Sequence, residues 1–245
     1  MTRYLLFALP LLAFLWTSPV QLQAQEPEDN DVNFDFDPSK FKMGKKSGKR
    51  TNIEGYWAFG PTFITNNNEV AGEFYPEFKP FNSWSNDLGL MFRTRIGGAN
   101  SPVNINYGLL WRYINVETDQ AYLDWDKETE IPFYTEDSEL DNSELNVHTL
   151  SVPIMLEFQR KVAIAAGGFV AFRVGSNSEA DGELDNGKVE TTLRADLGLN
   201  NVLYGVTGQI GYKKFRVYVN YYLNNLFAED TPYDFTVMNV GVAFF

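Results

Sequence analysis

Five arginines and one glutamate carry the chain's most distinctive chemical potential: Arg93, Arg95, Arg112, Arg173, Arg216 and Glu157. Each sits on the polar side of a stretch in which apolar and polar residues alternate. Guanidinium and carboxylate groups gathered on one face can do two things. They can pair into a network that satisfies buried charge, with Asp87 as a further partner. Alternatively, arginine in excess can line a narrow anion path. The pairing network is the expected reading, with Glu157 bridging Arg112 and Arg173, its neighbours on adjoining strands.

The acidic residues form a second group. Asp124, Asp126 and Glu128 fall in the stretch 118–146, and Asp181, Glu183 and Asp185 alternate within Glu179–Gly187. Oxygen-rich loops can hold Ca²⁺, but neither stretch has the turn glycine and closing glutamate of an EF-hand. They read as solvated acidic surface, with divalent bridging to lipopolysaccharide phosphates as the alternative. His148 is the sole histidine, and its parity with Leu150 and Val152 leaves it no serine partner of the kind nucleophilic catalysis needs. The chain has no cysteine, which excludes disulfides and thiolate metal sites. No spacing predicts a cofactor or a catalytic residue. A formal charge of −12 argues against nucleic acid as a partner.

The elements that must position these residues are strands. From Ile53 onward the pattern has period two, and it predicts strands over 53–65, 84–97, 103–117, 147–158, 162–175, 202–212, 215–225 and 235–245. The connections alternate long and short, as in outer-membrane barrels with long extracellular loops and short periplasmic turns. Residues 1–24 read as a signal peptide: Arg3, the apolar run Leu5–Trp16, and a cleavage site after Ala24. That run of about 12 residues is short of the roughly 20 a spanning helix needs. Residues 25–51, first acidic and then basic, read as a disordered periplasmic tail. The barrel domain is expected over 52–245, with no further domain after the last strand.

The alternation also selects a face. Leu88, Leu90, Phe92 and Ile96 oppose Asp87, Arg93 and Arg95, and Phe215, Val217, Val219, Tyr221 and Leu223 oppose Arg216 and Asn220. An arginine facing lipid at mid-depth costs about 2–4 kcal/mol, so the charged face is the lumen. A soluble sandwich would present the same alternation, but with an unusually aromatic core in a chain that is 16% aromatic. The chain ends in an apolar strand of the kind that signals barrel assembly, carried by Val240, Val242, Phe244 and Phe245. Phe244 shares the apolar parity; Phe245 does not. The reading is therefore an all-β fold, an eight-stranded antiparallel transmembrane β-barrel with both termini periplasmic.

The segments Leu150–Ser176 and Asp196–Phe227, followed by the aromatic end, resemble the small Bacteroidetes outer-membrane β-barrel family, the porin-family or PorT-like proteins, and more distantly the OmpA-type eight-stranded barrel. The resemblance spans 53–245. It implies that Pro153 is tolerated within a strand. It also implies a non-enzymatic outer-membrane barrel, a structural or interaction subunit or an accessory of an envelope secretion or assembly complex. A narrow small-solute channel is the alternative, and an outer-membrane lipid hydrolase a distant third. The implied partners are outer-membrane lipid and lipopolysaccharide, the barrel-assembly machinery and an envelope protein complex.

Overall fold

The computed structural model describes residues 50–67, 76–98, 100–119, 121–125, 132–136, 140–184, 187–193, 197–228, 231 and 233–245. The predicted signal peptide and all but the end of the predicted tail lie outside these residues. The strands are β1 (Thr51–Asn67), β2 (Glu77–Phe78), β3 (Trp84–Arg95), β4 (Val103–Asp119), β5 (Ala121–Trp125), β6 (Pro132–Glu136), β7 (Leu140–Gln159), β8 (Ala163–Leu184), β9 (Gly187–Leu193), β10 (Val202–Tyr212), β11 (Phe215–Tyr222) and β12 (Phe235–Phe244). Eight of them close into an antiparallel barrel in the order β1–β3–β4–β7–β8–β10–β11–β12, and β12 pairs back onto β1. Closure leaves no unpaired strand edge around the barrel wall.

All eight predicted strands are present, but four further ones lie where loops were expected. The stretch 118–146 is not one open loop: β5 and β6 form a hairpin there, pairing Ala121 with Glu136, and β7 begins at Leu140. β8 runs on to Leu184 and turns back as β9. β2 pairs with the end of β4. Leu123 and Trp125, two positions apart, carried the strand signal, which the density of carboxylates obscured.

At one end the connections are tight. β10 and β11 are joined by Lys213-Lys214 alone, with Lys213 at φ 56°. β7 and β8 are joined by residues 160–162, and β3 and β4 by 96–102, where Gly97 takes φ 93°. The long connections gather at the opposite end.

Pro153 lies inside β7. The β4–β7 pairing runs as far as Tyr107↔Ile154 and resumes only at Leu110↔Ser151, since proline has no N–H to give to the ladder. Pairing with β8 continues through Pro153↔Phe169, so the strand survives.

The two faces separate as the alternation demands. Leu90, Leu109, Ile154, Leu156, Ile164, Val206, Ile210 and Val217 point outward and are about half exposed, whereas Met91, Leu110, Met155, Tyr218 and Ala243 point inward and are buried. Aromatic rows bound the outward belt. Toward the short turns, Phe244 packs against Trp57 and Phe215, and Phe92 against Tyr107. Toward the long connections, Trp84 meets Phe59 and Tyr113, and His148 lies between Trp111 and Tyr113.

Candidate functional site: the barrel interior

The interior holds three stacked layers, and the strand register decides which residue enters which layer. The layer nearest the short turns is ionic. Glu157 is fully buried and accepts from Arg216 Nη1, from Asn106 Nδ2 at 2.7 Å and from Asn104 Nδ2 at 3.3 Å. Arg93 Nε lies 3.1 Å from Glu157 Oε1, the oxygen that Asn104 also reaches, and Arg93 Nη1 donates to Glu54 at 3.2 Å. Two arginines thus face two carboxylates. The ring of Phe245 closes this layer from below, 4.5 Å from the guanidinium carbon of Arg216 and 5.3 Å from that of Arg93. Glycine makes the room: a Cβ on Gly211, opposite Arg216, would come within 2.8 Å of its Cγ.

The middle layer is a single buried pair. Arg112 donates through Nε and Nη2 to both oxygens of Asp87, at 2.6 and 2.7 Å, and through Nη1 to the Tyr222 hydroxyl at 3.0 Å. Asp87 and Arg112 are direct cross-strand partners. The two-pronged geometry suits a guanidinium and a carboxylate, and the ring of Phe169 covers the guanidinium at 4.8 Å. Between this layer and the first lies a cavity of about 10 Å³ lined by Tyr56, Met91, Met155 and Gln209 among others, room for about one water.

The upper layer is apolar. Ile114, Val147, Leu203, Tyr222 and Val237 from the wall meet Leu197, Leu199, Leu226, Phe227, Tyr233 and Phe235, all buried. Backbone bonds fasten the covering segments to each other: Asn200 N to Leu226 O, Ala228 N to Gly198 O and Leu226 N to Phe235 O. Leu123 of the β5–β6 hairpin joins the same cluster.

One expectation needs correction. Glu157 is not flanked by Arg112 and Arg173. Arg112 stands level with Thr149, eight positions further along β7, or about 26 Å at the usual strand rise. Glu157 meets residues at its own height across the lumen instead. In the two ionic layers three arginines face three carboxylates: Arg112 is paired with Asp87, and Arg93 and Arg216 with Glu157 and Glu54. Arg95 lies at the short-turn rim, where its carbonyl accepts from Arg50 Nε. Arg173 lies at the other end, donating to Asn201 Oδ1 at 2.7 Å and Ser176 Oγ at 3.1 Å. Glu54 and the aromatic seal were missed. An even-numbered Glu54, in phase with Tyr56 and Ala58, was the available signal.

Of the acidic candidates, Asp124 lies on β5, and Asp181 and Glu183 on β8, opposite Glu190 and Lys188 of β9. Asp126, Glu128 and Asp185 lie outside the described residues. Among the described residues no acidic or histidine cluster has metal-site geometry. The carboxylates that do line up are different ones. Glu117, Glu144 and Glu179 are cross-strand neighbours on β4, β7 and β8, beside a parallel row of Asn115, Asn146 and Asn177. Burial and the flanking glutamates raise the Glu144 carboxyl above the ordinary range, against the lowering effect of the Asn115 amide.

At the chain end, Val240 and Val242 share the outward parity of exposed Phe244, and Phe245 packs against the inner cluster, T-shaped to Tyr56 with centroids 5.1 Å apart.

No protein-family model matches the chain, and no curated protein matches it. Among solved structures it is similar to Ail, the attachment invasion locus protein of Yersinia pestis, at 8% identity over 78% of this chain and 96% of that one, TM-score 0.34. A triple mutant of Rhodopseudomonas blastica porin matches at 13% identity over 79% and 99% of the two chains, TM-score 0.18. The closed eight-stranded barrel follows from the chain's own strand pairing.

Proposed function

We propose that this chain is a non-enzymatic outer-membrane β-barrel with a sealed lumen, acting through its surfaces as a structural or interaction subunit. The observation that carries the reading is one barrel wall with two opposite characters. Outside runs a belt of half-exposed Leu, Ile, Val and aromatic side chains between two aromatic rows. Inside, buried charges are paired and the far end is apolar. A water-soluble protein would leave that belt in solvent, whereas a bilayer covers it. The short turns and both chain ends then face the periplasm, and the long connections face outward.

The accessory role in an envelope secretion or assembly complex, and membership of the Bacteroidetes PorT-like group, rest on the sequence blocks Leu150–Ser176 and Asp196–Phe227. Lipid and lipopolysaccharide, the assembly machinery and an envelope complex are the partners this role implies. The channel reading is disfavoured because no arginine of the two ionic layers is in excess. The test is reconstitution followed by gel migration and bilayer recording. Unboiled protein should migrate apart from boiled protein, and the reconstituted barrel should be silent. Identical migration with solubility in detergent-free buffer would remove the barrel-in-membrane reading, and steady wild-type conductance would replace the sealed barrel with a channel.

A further inference from the structure

The barrel's short-turn end carries cations that the lumen does not use. Arg160 and Lys161 occupy the β7–β8 turn and Lys213 and Lys214 the β10–β11 turn, all exposed. The carboxylates described at this end, Glu54 and Glu157, are committed to Arg93 and Arg216. The two turns are neighbours, because β8 and β10 pair down to Gly211↔Ala163. Their centres are therefore two strand spacings apart, about 10 Å.

The direction of the side chains selects among anionic partners. The Arg160 guanidinium lies 5.4 Å from the Phe158 ring and Lys213 Nζ lies 5.1 Å from the Tyr212 ring. Both rings are outward and about half exposed, in the belt's lower aromatic row. Arg160 and Lys213, one from each turn, thus lean toward the belt, at the level where headgroups would sit, rather than away from the barrel toward a partner below it. Long basic side chains at such a boundary keep their stems on apolar surface and their charge at the phosphates.

We infer that Arg160, Lys161, Lys213 and Lys214 form a phosphate-reading arc that holds anionic phospholipid headgroups in the leaflet at the short-turn end. The inference rests on the membrane reading above. The spacing of the two basic turns fits two phosphates side by side, supplied by two lipids or by one diphosphate lipid.

The test uses the full chain in neutral phosphatidylcholine bilayers with trace spin-labelled phosphatidylglycerol or spin-labelled phosphatidylcholine. Wild type should immobilise the anionic label in preference to the neutral one by roughly fivefold or more, the scale of one basic side chain at an anionic surface. The preference should fall steeply with salt. The combined variant Arg160→Gln, Lys161→Gln, Lys213→Gln, Lys214→Gln should lose it while still migrating as a folded barrel; Lys79→Gln, at the other end, should keep it. Because Lys213 has a positive φ, a variant limited to Arg160→Gln and Lys161→Gln provides a second measurement and should lose part of the preference. Equal immobilisation of the two labels by a folded, incorporated wild type overturns the inference and leaves the membrane reading standing. Displacement of the bound lipid by bulk glycerol phosphate would assign the arc to a free ligand instead. Failure to incorporate, with heat-independent migration, would remove both readings.

Discussion

Phe245, the last residue, lays its ring 4.5 Å from the guanidinium carbon of Arg216, a residue of the preceding strand. The neighbouring Phe244 turns the other way and stacks on Trp57 at 5.5 Å in the outward belt. Two consecutive aromatics therefore have different roles. One contributes to the girdle, and the other floors the lumen over a buried ion cluster.

That difference is measurable. Phe245→Ala should destabilise the barrel by about 1–2 kcal/mol, through a desolvated cation–π contact and the water admitted to Arg216. Phe245→Leu should recover part of the loss by restoring apolar bulk. The readout is the urea midpoint of the heat-modifiable gel band. An unchanged midpoint in Phe245→Ala would show that the ring does not seal the layer.

Glu157 should be the more sensitive position. It accepts from Arg216, Asn104 and Asn106 and forms an ion pair with Arg93. Removing one partner of a buried pair typically costs about 3–5 kcal/mol, because the other charge remains uncompensated. Glu157→Ala should fall in that range. Adding Arg216→Met should recover a large part, since replacing both partners by apolar groups removes the stranded charge. Additive losses in the double variant would mean that the two residues are not coupled.

The arginines of the lumen were legible because period-two alternation forces every residue of one parity onto one face. Asp87, Arg93, Arg112, Glu157 and Arg216 fell inward on that ground alone. The arginine partners of Glu157 were not legible, although Asp87 and Arg112 do pair across adjoining strands. Sequence order suggests that adjoining strands supply partners, yet height along a staggered barrel wall decides which residues meet across the lumen. Arg93 and Arg216 reach Glu157 for that reason, and Arg112 does not. The apolar lid was missed for another reason. Leu197, Leu199, Leu226 and Phe227 lie in stretches with too little regularity to suggest burial, and their ordering comes from backbone bonds between two distant connections.

The glutamate row on β4, β7 and β8 should make the projecting sheet pH-sensitive. Burial and the flanking Glu117 and Glu179 raise the folded pKa of Glu144. A raised carboxyl pKa means that the ionised form is disfavoured in the folded state. The penalty is present at neutral pH and disappears as pH falls through the raised folded value toward the ordinary 4.5. Amide exchange in residues 140–147 and 176–184, corrected for intrinsic rates, should therefore slow on acidification across that window. Glu144→Gln should protect these amides at neutral pH and flatten the profile. Protection that instead declines on acidification would reverse the assigned sign.

The three interior layers should seal independently. Phe245→Ala opens only the floor, beneath the intact Asp87–Arg112 pair. Glu157→Ala, in protein that remains folded, frees arginine charge in the lowest layer but leaves the apolar lid of Leu197, Leu199, Leu226 and Phe227 in place. A dry apolar constriction blocks ions without any charged gate. Both variants should therefore be as silent in planar bilayers as wild type, although each loses stability. Substituting the lid alone, with Leu199→Ser and Phe227→Ser, should also leave the barrel silent, because the buried Arg112–Asp87 and Arg216–Glu157 pairs still fill the section below. Steady conductance from any one of these variants would show that the remaining layers do not close the barrel by themselves, and that a single layer carries the seal.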